Sequence, residues 1–251
     1  EKEKVADIKS ILGRIFIDKG DPKAAKPLIA QAREFFEKED DRIAIAMINE
    51  DLALLHASSN EMDLAFVFAE KAYATFMSEN DVEGEITASQ LLSQLYSRKK
   101  EWDVALKFIN KSIRLVEGMT DQRELHNYYL ERGRIHLNMN DLESSLFDFN
   151  KFLAKGKELE DPSTEMNYYQ ALTDLYVSQQ DFEKAYDHTI KYNAAKDAFS
   201  SIQKERKLSF FEKYLTVWVI GCIGLGILLG KLFPQAALTL DKISIYQVSI
   251  P

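Results

Sequence analysis

Residues 12–32, LGRIFIDKGDPKAAKPLIAQA, carry a complete passage from one helix to the next, and their reading decides the fold. Gly13 and Phe16 stand three apart, which makes them neighbours on one face of a first helix. Gly20 suits the left-handed residue that follows a helix end. Asp21 then opens a second helix, because a carboxylate there accepts hydrogen bonds from free N–H groups and meets the positive end of the dipole. Pro22 fits the first helical position, where no N–H is required. Ala25, Ile29 and Ala32 follow as an apolar stripe whose small residues allow two helices to approach closely.

Outward from Asp21 the acid recurs at every twentieth position, through Asp41, Glu61, Asp81, Glu101, Asp121, Asp141 and Asp161 to Asp181. Acids make up 40 of 251 residues, so nine hits in one fixed register would arise by chance roughly once in ten million. The series predicts nine capped helices of about sixteen residues each, joined by short turns. The true period is 40, because alternate helices differ. Gly20, Asn60, Lys100, Asn140 and Gln180 precede the odd-numbered caps. A small residue recurs in each first helix as Gly13, Ala53, Ser93, Gly133 and Thr173, with a ring three positions later at Phe16, His56, Tyr96, His136 and Tyr176. The second helices carry Ala25, Ala65, Ala105, Ser145 and Ala185. A ring beside a small residue fills the gap that close approach leaves.

This pattern resembles the tetratricopeptide repeat. Leu12-Gly13, Phe16, Ala25, Ile29 and Ala32 match the family's signature, as do, less fully, Leu92-Ser93, Tyr96, Ala105, Ile109 and Ser112, and Leu172-Thr173, Tyr176 and Ala185. The fourth unit departs at Arg132, where the family has an apolar residue, and at Phe152, where it has a small one. A period of 40 is longer than the family's usual one and falls in the HEAT range, but the small–aromatic–small spacing in all five units favours the tetratricopeptide. The resemblance covers roughly residues 5–195. It implies an all-α fold, a right-handed solenoid of five helical hairpins, and an interaction role, while leaving the ligand open.

Composition agrees with a helical repeat: apolar residues are 46% and charged ones 29%. A net charge of −8 speaks against a nucleic-acid partner, whose phosphates would be repelled. Cys222 is the single cysteine, so no intrachain disulfide forms and no zinc site rests on cysteine pairs.

The chain changes character near its end. YLTVWVIGCIGLGILLG, residues 214–230, holds no charge and is flanked by Lys213 and Lys231. It is at the short end for a membrane span, but Lys231 can snorkel while Leu232 and Phe233 lengthen the apolar run. Tyr214, Trp218 and Phe233 suit the two interfaces. Gly226 and Gly230 offer a surface for close helix packing, and with it self-association. A buried helix capping the solenoid is the alternative. Lys204, Arg206, Lys207 and Lys213 precede the segment and only Lys231 and Lys242 follow it, so the repeats are expected on the cytoplasmic side of a single span. The expected organisation is a solenoid over residues 1–195, a helical stalk at 196–213, a transmembrane helix at 214–233 and an extramembrane tail at 234–251.

Residues 208–251 also resemble the amino-terminal end of arsenite efflux permeases of the arsenical-resistance family. The likeness rests on Leu208-Ser209-Phe210, Tyr214-Leu215-Thr216, Trp218, Gly226, Gly230, Leu232-Phe233-Pro234 and Ser249-Ile250-Pro251, with departures at Gly221, Cys222 and Lys231. It implies that the chain stops where a second span begins, and that the family's transport residues belong to later spans. Glu1 in place of Met implies a processed, trimmed or partial chain.

No catalytic set assembles in the repeats. His56 and His136 occupy the ring position and read as packing residues, and no phosphate loop or HExxH is present. No cofactor or metal is therefore expected. The expected site is the face built by the first helices, where Gln90, Gln94, Arg98, Asn127, Arg134, Asn167, Gln170 and Asp174 line a groove. Amides bond extended peptide backbones, and the arginines suit a carboxylate. The expected function is a non-enzymatic, membrane-tethered interaction scaffold with a protein or peptide ligand. The alternatives are the amino-terminal piece of an arsenite permease and the sensor half of a membrane-bound signalling protein.

Overall fold

The computed structural model describes the backbone of residues 1–232, and the surroundings of residues up to Leu225 except at Phe211, Thr216 and Gly224. Every element is an α-helix: α1 (Lys2–Asp18), α2 (Pro22–Glu39), α3 (Arg42–Ser58), α4 (Met62–Glu79), α5 (Val82–Arg98), α6 (Trp102–Glu117), α7 (Leu125–Asn138), α8 (Leu142–Glu158), α9 (Thr164–Ser178) and α10 (Phe182–Leu232). The chain divides into a first unit, Glu1–Asn193, and a second, Ala194–Pro251. In the first, each helix from α1 to α8 packs on the next, α1, α3 and α5 also touch in succession, as do α7 and α9, and His188 of α10 stacks on Tyr176 of α9. First helices therefore line the inner side of the stack.

One short motif makes every turn within a hairpin. Gly20 has φ 74°, Asn60 62°, Lys100 62°, Asn140 62° and Gln180 60°, so all five adopt the left-handed conformation. The next residue then donates its N–H to the carbonyl five residues back, Asp21 to Phe16 O at 2.8 Å and Glu101 to Tyr96 O at 3.0 Å. These bonds satisfy carbonyls that a helix end leaves free. Lys100 and Gln180 accept the left-handed geometry although each carries a Cβ, which costs roughly 1–2 kcal/mol relative to glycine.

The periodic acids are a mixed set rather than nine equal caps. Asp21, Asp41, Asp81, Asp141 and Asp181 accept from the backbone N–H three residues on, at 2.9–3.2 Å. Glu61 and Glu101 occupy the cap position without a side-chain bond, and Glu61 instead meets His56 Nδ1 at 2.5 Å. The longer glutamate side chain overshoots the N–H that aspartate reaches. Asp121 and Asp161 lie outside their helices: Asp121 binds Arg123, and Asp161 accepts from Ser163 N and Oγ at 3.0 and 2.9 Å. Pro162 accordingly sits in a turn before α9.

The small positions pack as their spacing implies. Ala25, Ala65, Ala105 and Ser145 are fully buried, and a Cβ added to Gly133 would lie 2.6 Å from Phe149 Cε1. The fourth unit solves its two departures in different ways. Arg132 pairs with Asp148 at 2.6–2.7 Å and donates to Asn110 at 2.8 Å, closing a polar cluster inside the stack. Phe152 is fully buried and stacks on His126, ring centroids 5.7 Å apart. On α1, Val5, Ile8, Ile11 and Ile15 are 40–60% exposed.

Candidate functional site

The expected groove residues fall into two groups, and a single position on the neighbouring helix decides which. At that position the units carry Asp51, Leu91, Glu131 and Ala171 in turn. Asp51 is gripped by Ser10 Oγ at 2.6 Å and by Arg14 Nε at 2.7 Å, from the unit before it. Glu131 is gripped from the same two positions one hairpin pair later, by Gln90 at 3.2 Å and Gln94 at 3.3 Å. Two of the expected ligand amides are therefore engaged within the fold. Where the position is apolar, as at Leu91 and Ala171, the counterparts Leu54 and Arg134 meet no acid of this kind.

Arg134 consequently stays exposed on α7, and Arg98 is exposed on α5, where it donates to Ala57 O at 3.4 Å. The two arginines line one cleft of about 370 Å³ together with Trp102, Ile135 and Glu131. Asn127 and Asn167 are half-buried and turn back to their own helices, to Glu124 at 2.8 Å and Ser163 at 3.4 Å. Gln170 and Asp174 are exposed on α9. The structure thus brings Gln94, Arg98 and Arg134 together in a cleft, and leaves Asn127, Asn167, Gln170 and Asp174 outside that lining.

Electrostatics sharpen the picture. Burial pushes the Glu131 carboxyl above the ordinary range, opposed by hydrogen bonds from Gln90, Gln94 and Ser93 and by the Arg134 charge. Burial also raises Asp174, against the pull of Arg134. Both acids lie close enough to Arg134 for its charge to oppose the effect of burial. Glu131 itself was not singled out from the sequence. The signal present was an acid standing 41 and 37 residues beyond Gln90 and Gln94, the separations that join Ser10 and Arg14 to Asp51.

The histidines keep to packing. His56 stacks on Phe68 at 5.3 Å, and His136 lies beside Asp141 and Asp148 at 3.5 and 3.9 Å. Among the described residues no cluster of His, Cys, Asp or Glu is suited to hold a metal ion.

In the second unit, Tyr214 and Trp218 are 59% and 70% exposed, with Leu215, Val217, Ile220 and Ile223 exposed around them. The surroundings of Gly226 and Gly230, and all of Phe233, lie outside the described residues. Among the described residues no helix is long and apolar enough to cross a membrane.

No protein-family model matches the chain. An uncharacterized transporter of Synechocystis is 66% identical over 44 residues, 18% of this chain and 12% of that protein. An arsenical-resistance protein of Alkaliphilus metalliredigens is 44% identical over 50 residues, 20% of this chain and 14% of that protein. The chain thus spans about an eighth of the length of the curated relatives it matches. Among solved structures, BtubC from P. vanneervenii superposes with TM-score 0.65 at 19% identity, covering 80% of this chain and 82% of that one. A signal-transduction ATPase of Pyrococcus horikoshii with a tetratricopeptide repeat sensor superposes with TM-score 0.68 at 18% identity, over 78% of this chain and 30% of that one. The chain carries the fold of tetratricopeptide-like repeat proteins.

Proposed function

We propose that the chain is a non-catalytic interaction scaffold, a right-handed solenoid that takes a carboxylate-bearing peptide on the inner face of α5, α7 and α9. The observation that carries this reading is the pair Arg98 and Arg134 on one open cleft, where the Glu131 carboxylate in the lining is already engaged by Gln90 and Gln94. A guanidinium pair recognises a carboxylate through charge-assisted hydrogen bonds. Peptides selected on the full chain from a random library test it. Binding should fall when Arg98 and Arg134 are both changed to Ala, and also when Asn127, Arg134, Asn167 and Gln170 are. Peptides that bind both variants as tightly as the parent would move the site elsewhere.

The scaffold is tethered to a membrane through residues 214–233, with the repeats on the cytoplasmic side and Gly226 and Gly230 available for pairing with a second copy. The exposed apolar residues Tyr214, Leu215, Val217, Trp218, Val219, Ile220, Ile223 and Leu225 of α10 support this, because a helix apolar on every side is stable only when covered. The chain should resist alkaline extraction from membranes, and Val219→Lys with Ile223→Lys should release it. Release of the parent chain would end the reading. The 66% identity to a transporter over 44 residues favours one further reading, in which this segment begins a permease. One helix encloses no polar pathway, so arsenite protection is expected only when downstream spans are restored. Protection by the 251-residue chain alone would contradict it.

A further inference from the structure

The slot between neighbouring second helices, floored by the first helix between them, recurs along the stack, and one register position determines whether it is filled. Between α4 and α6 that position is Phe66, which is 8% exposed, packs on Tyr96 at 4.8 Å between ring centroids, and lies under Lys99. Forty residues on, Leu106 packs against the core in the same way. Between α2 and α4 the position is Lys26, whose charged head belongs in water. Tyr73, edge-on to Phe108 in the second slot, is likewise replaced by Arg33 in the first.

The first slot is consequently open, with a volume of about 450 Å³ in the range of ligand sites. Its floor is Leu52, Leu55 and His56, and its wall is Phe68, which stacks on the His56 ring. Lys23, Lys26 and Arg33 stand on its rim. Arg33 is held by Glu37 at 2.6 Å with its guanidinium 5.9 Å from the Phe68 ring centre, while Lys23 and Lys26 form no ion pair among the described residues. Three basic side chains gather on this rim although the chain as a whole carries a net charge of −8.

We propose that this slot binds a peptide segment presenting a large apolar side chain flanked by carboxylates. The apolar side chain takes the place that Phe66 fills one unit later, and the carboxylates meet Lys23, Lys26 and Arg33. Ser59 and Glu61 close one end of the slot. The Ser59 hydroxyl suits a peptide backbone, and the Glu61 carboxylate, bonded to His56, would be costly to bury against a continuous acyl chain.

The test is calorimetric titration of the full chain with acetyl-Glu-Glu-Leu-Phe-Glu-Glu-amide. Lys26→Phe, which restores the neighbouring slot's side chain, should abolish binding and leave helicity intact. Lys23→Glu with Lys26→Glu keeps the cavity open and should weaken binding about tenfold or more, since a repelled carboxylate costs at least about one such factor. The same peptide with serines for its apolar pair, or with lysines for its acids, should not bind. Joint change of Asn127, Arg134, Asn167 and Gln170 to Ala should have no effect, which separates this site from the inner cleft. Equal binding to Lys26→Phe, equal binding of the lysine peptide, or absence of any binding would overturn the proposal. So would displacement of the peptide by palmitate, which would assign the slot to a lipid.

Discussion

Replacing Glu50 by Gln should stabilise the repeat unit, and by an amount that depends on pH. Glu50 lies on α3 at 6% exposure, and its Oε1 accepts from Thr87 Oγ1 at 2.7 Å. Burial drives its pKa from 4.5 to about 7; Thr87 and Arg14 pull it down, and Asp51 and Asp81 push it further up. The sign follows from the raised folded value. Below 4.5 the acid is protonated in both folded and unfolded chains and costs nothing. Between 4.5 and about 7 only the unfolded chain ionises, so stability falls as pH rises. Above about 7 the full penalty is in place, about 3 kcal/mol at 1.36 kcal/mol per pH unit. Glutamine keeps the acceptor for Thr87 and carries no charge at any pH. Guanidinium unfolding of parent and variant, followed by circular dichroism, should show matching midpoints near pH 4.5 and a gain in the variant that grows to about 2–3 kcal/mol at pH 8. A variant that is destabilised at pH 8, or whose difference from the parent is flat with pH, would refute the assignment of a buried, strained carboxylate.

Three further outcomes follow from local geometry. Gly133→Leu should cost about 1–3 kcal/mol or more, because even a Cβ there meets Phe149 Cε1 at 2.6 Å and Asp148 Cβ at 3.3 Å; an unchanged thermal midpoint would reject the register. Asp81→Ala should cost about 1 kcal/mol through the lost bond to Gly84 N, whereas Asp121→Ala should cost almost nothing, since its partner is the exposed Arg123; equal losses would restore the uniform caps. Lys100→Gly should raise stability by about 1 kcal/mol by relieving a left-handed residue with φ 62°, read as a higher denaturation midpoint.

Much of the stack was readable because its signals are local. Gly20 and Asp21 specify a turn using residues within six positions, and the small residues at 25, 65, 105 and 145 need only the helical period to be placed in a seam. The same locality misled at the acids. Asp121 and Asp161 share the register of the true caps, yet a competing partner two residues on, Arg123 or Ser163, takes each carboxylate before a helix N–H can. Spacing records where an acid stands and not which donor reaches it first.

The groove was harder because its determinants are one full repeat away. Ser10 and Arg14 meet Asp51 at separations of 41 and 37 residues, and Gln90 and Gln94 meet Glu131 at the same two separations. A polar residue on a first helix is thus available to a ligand only if the residue about forty positions later is not an acid. Read this way, the alternation Asp51, Leu91, Glu131, Ala171 assigns Ser10, Arg14, Gln90 and Gln94 to holding the units in register, and leaves Arg134 to the solvent. Buried acids that accept two such bonds cost desolvation, as the raised Glu131 and Asp51 carboxyls show, and the pairs offset that cost only when both partners are in place. An apolar contact at 91 or 171 binds its neighbours without such exact partnering. The two kinds of junction therefore divide the labour: the polar ones select which faces meet, and the apolar ones free the side chains that a partner can use.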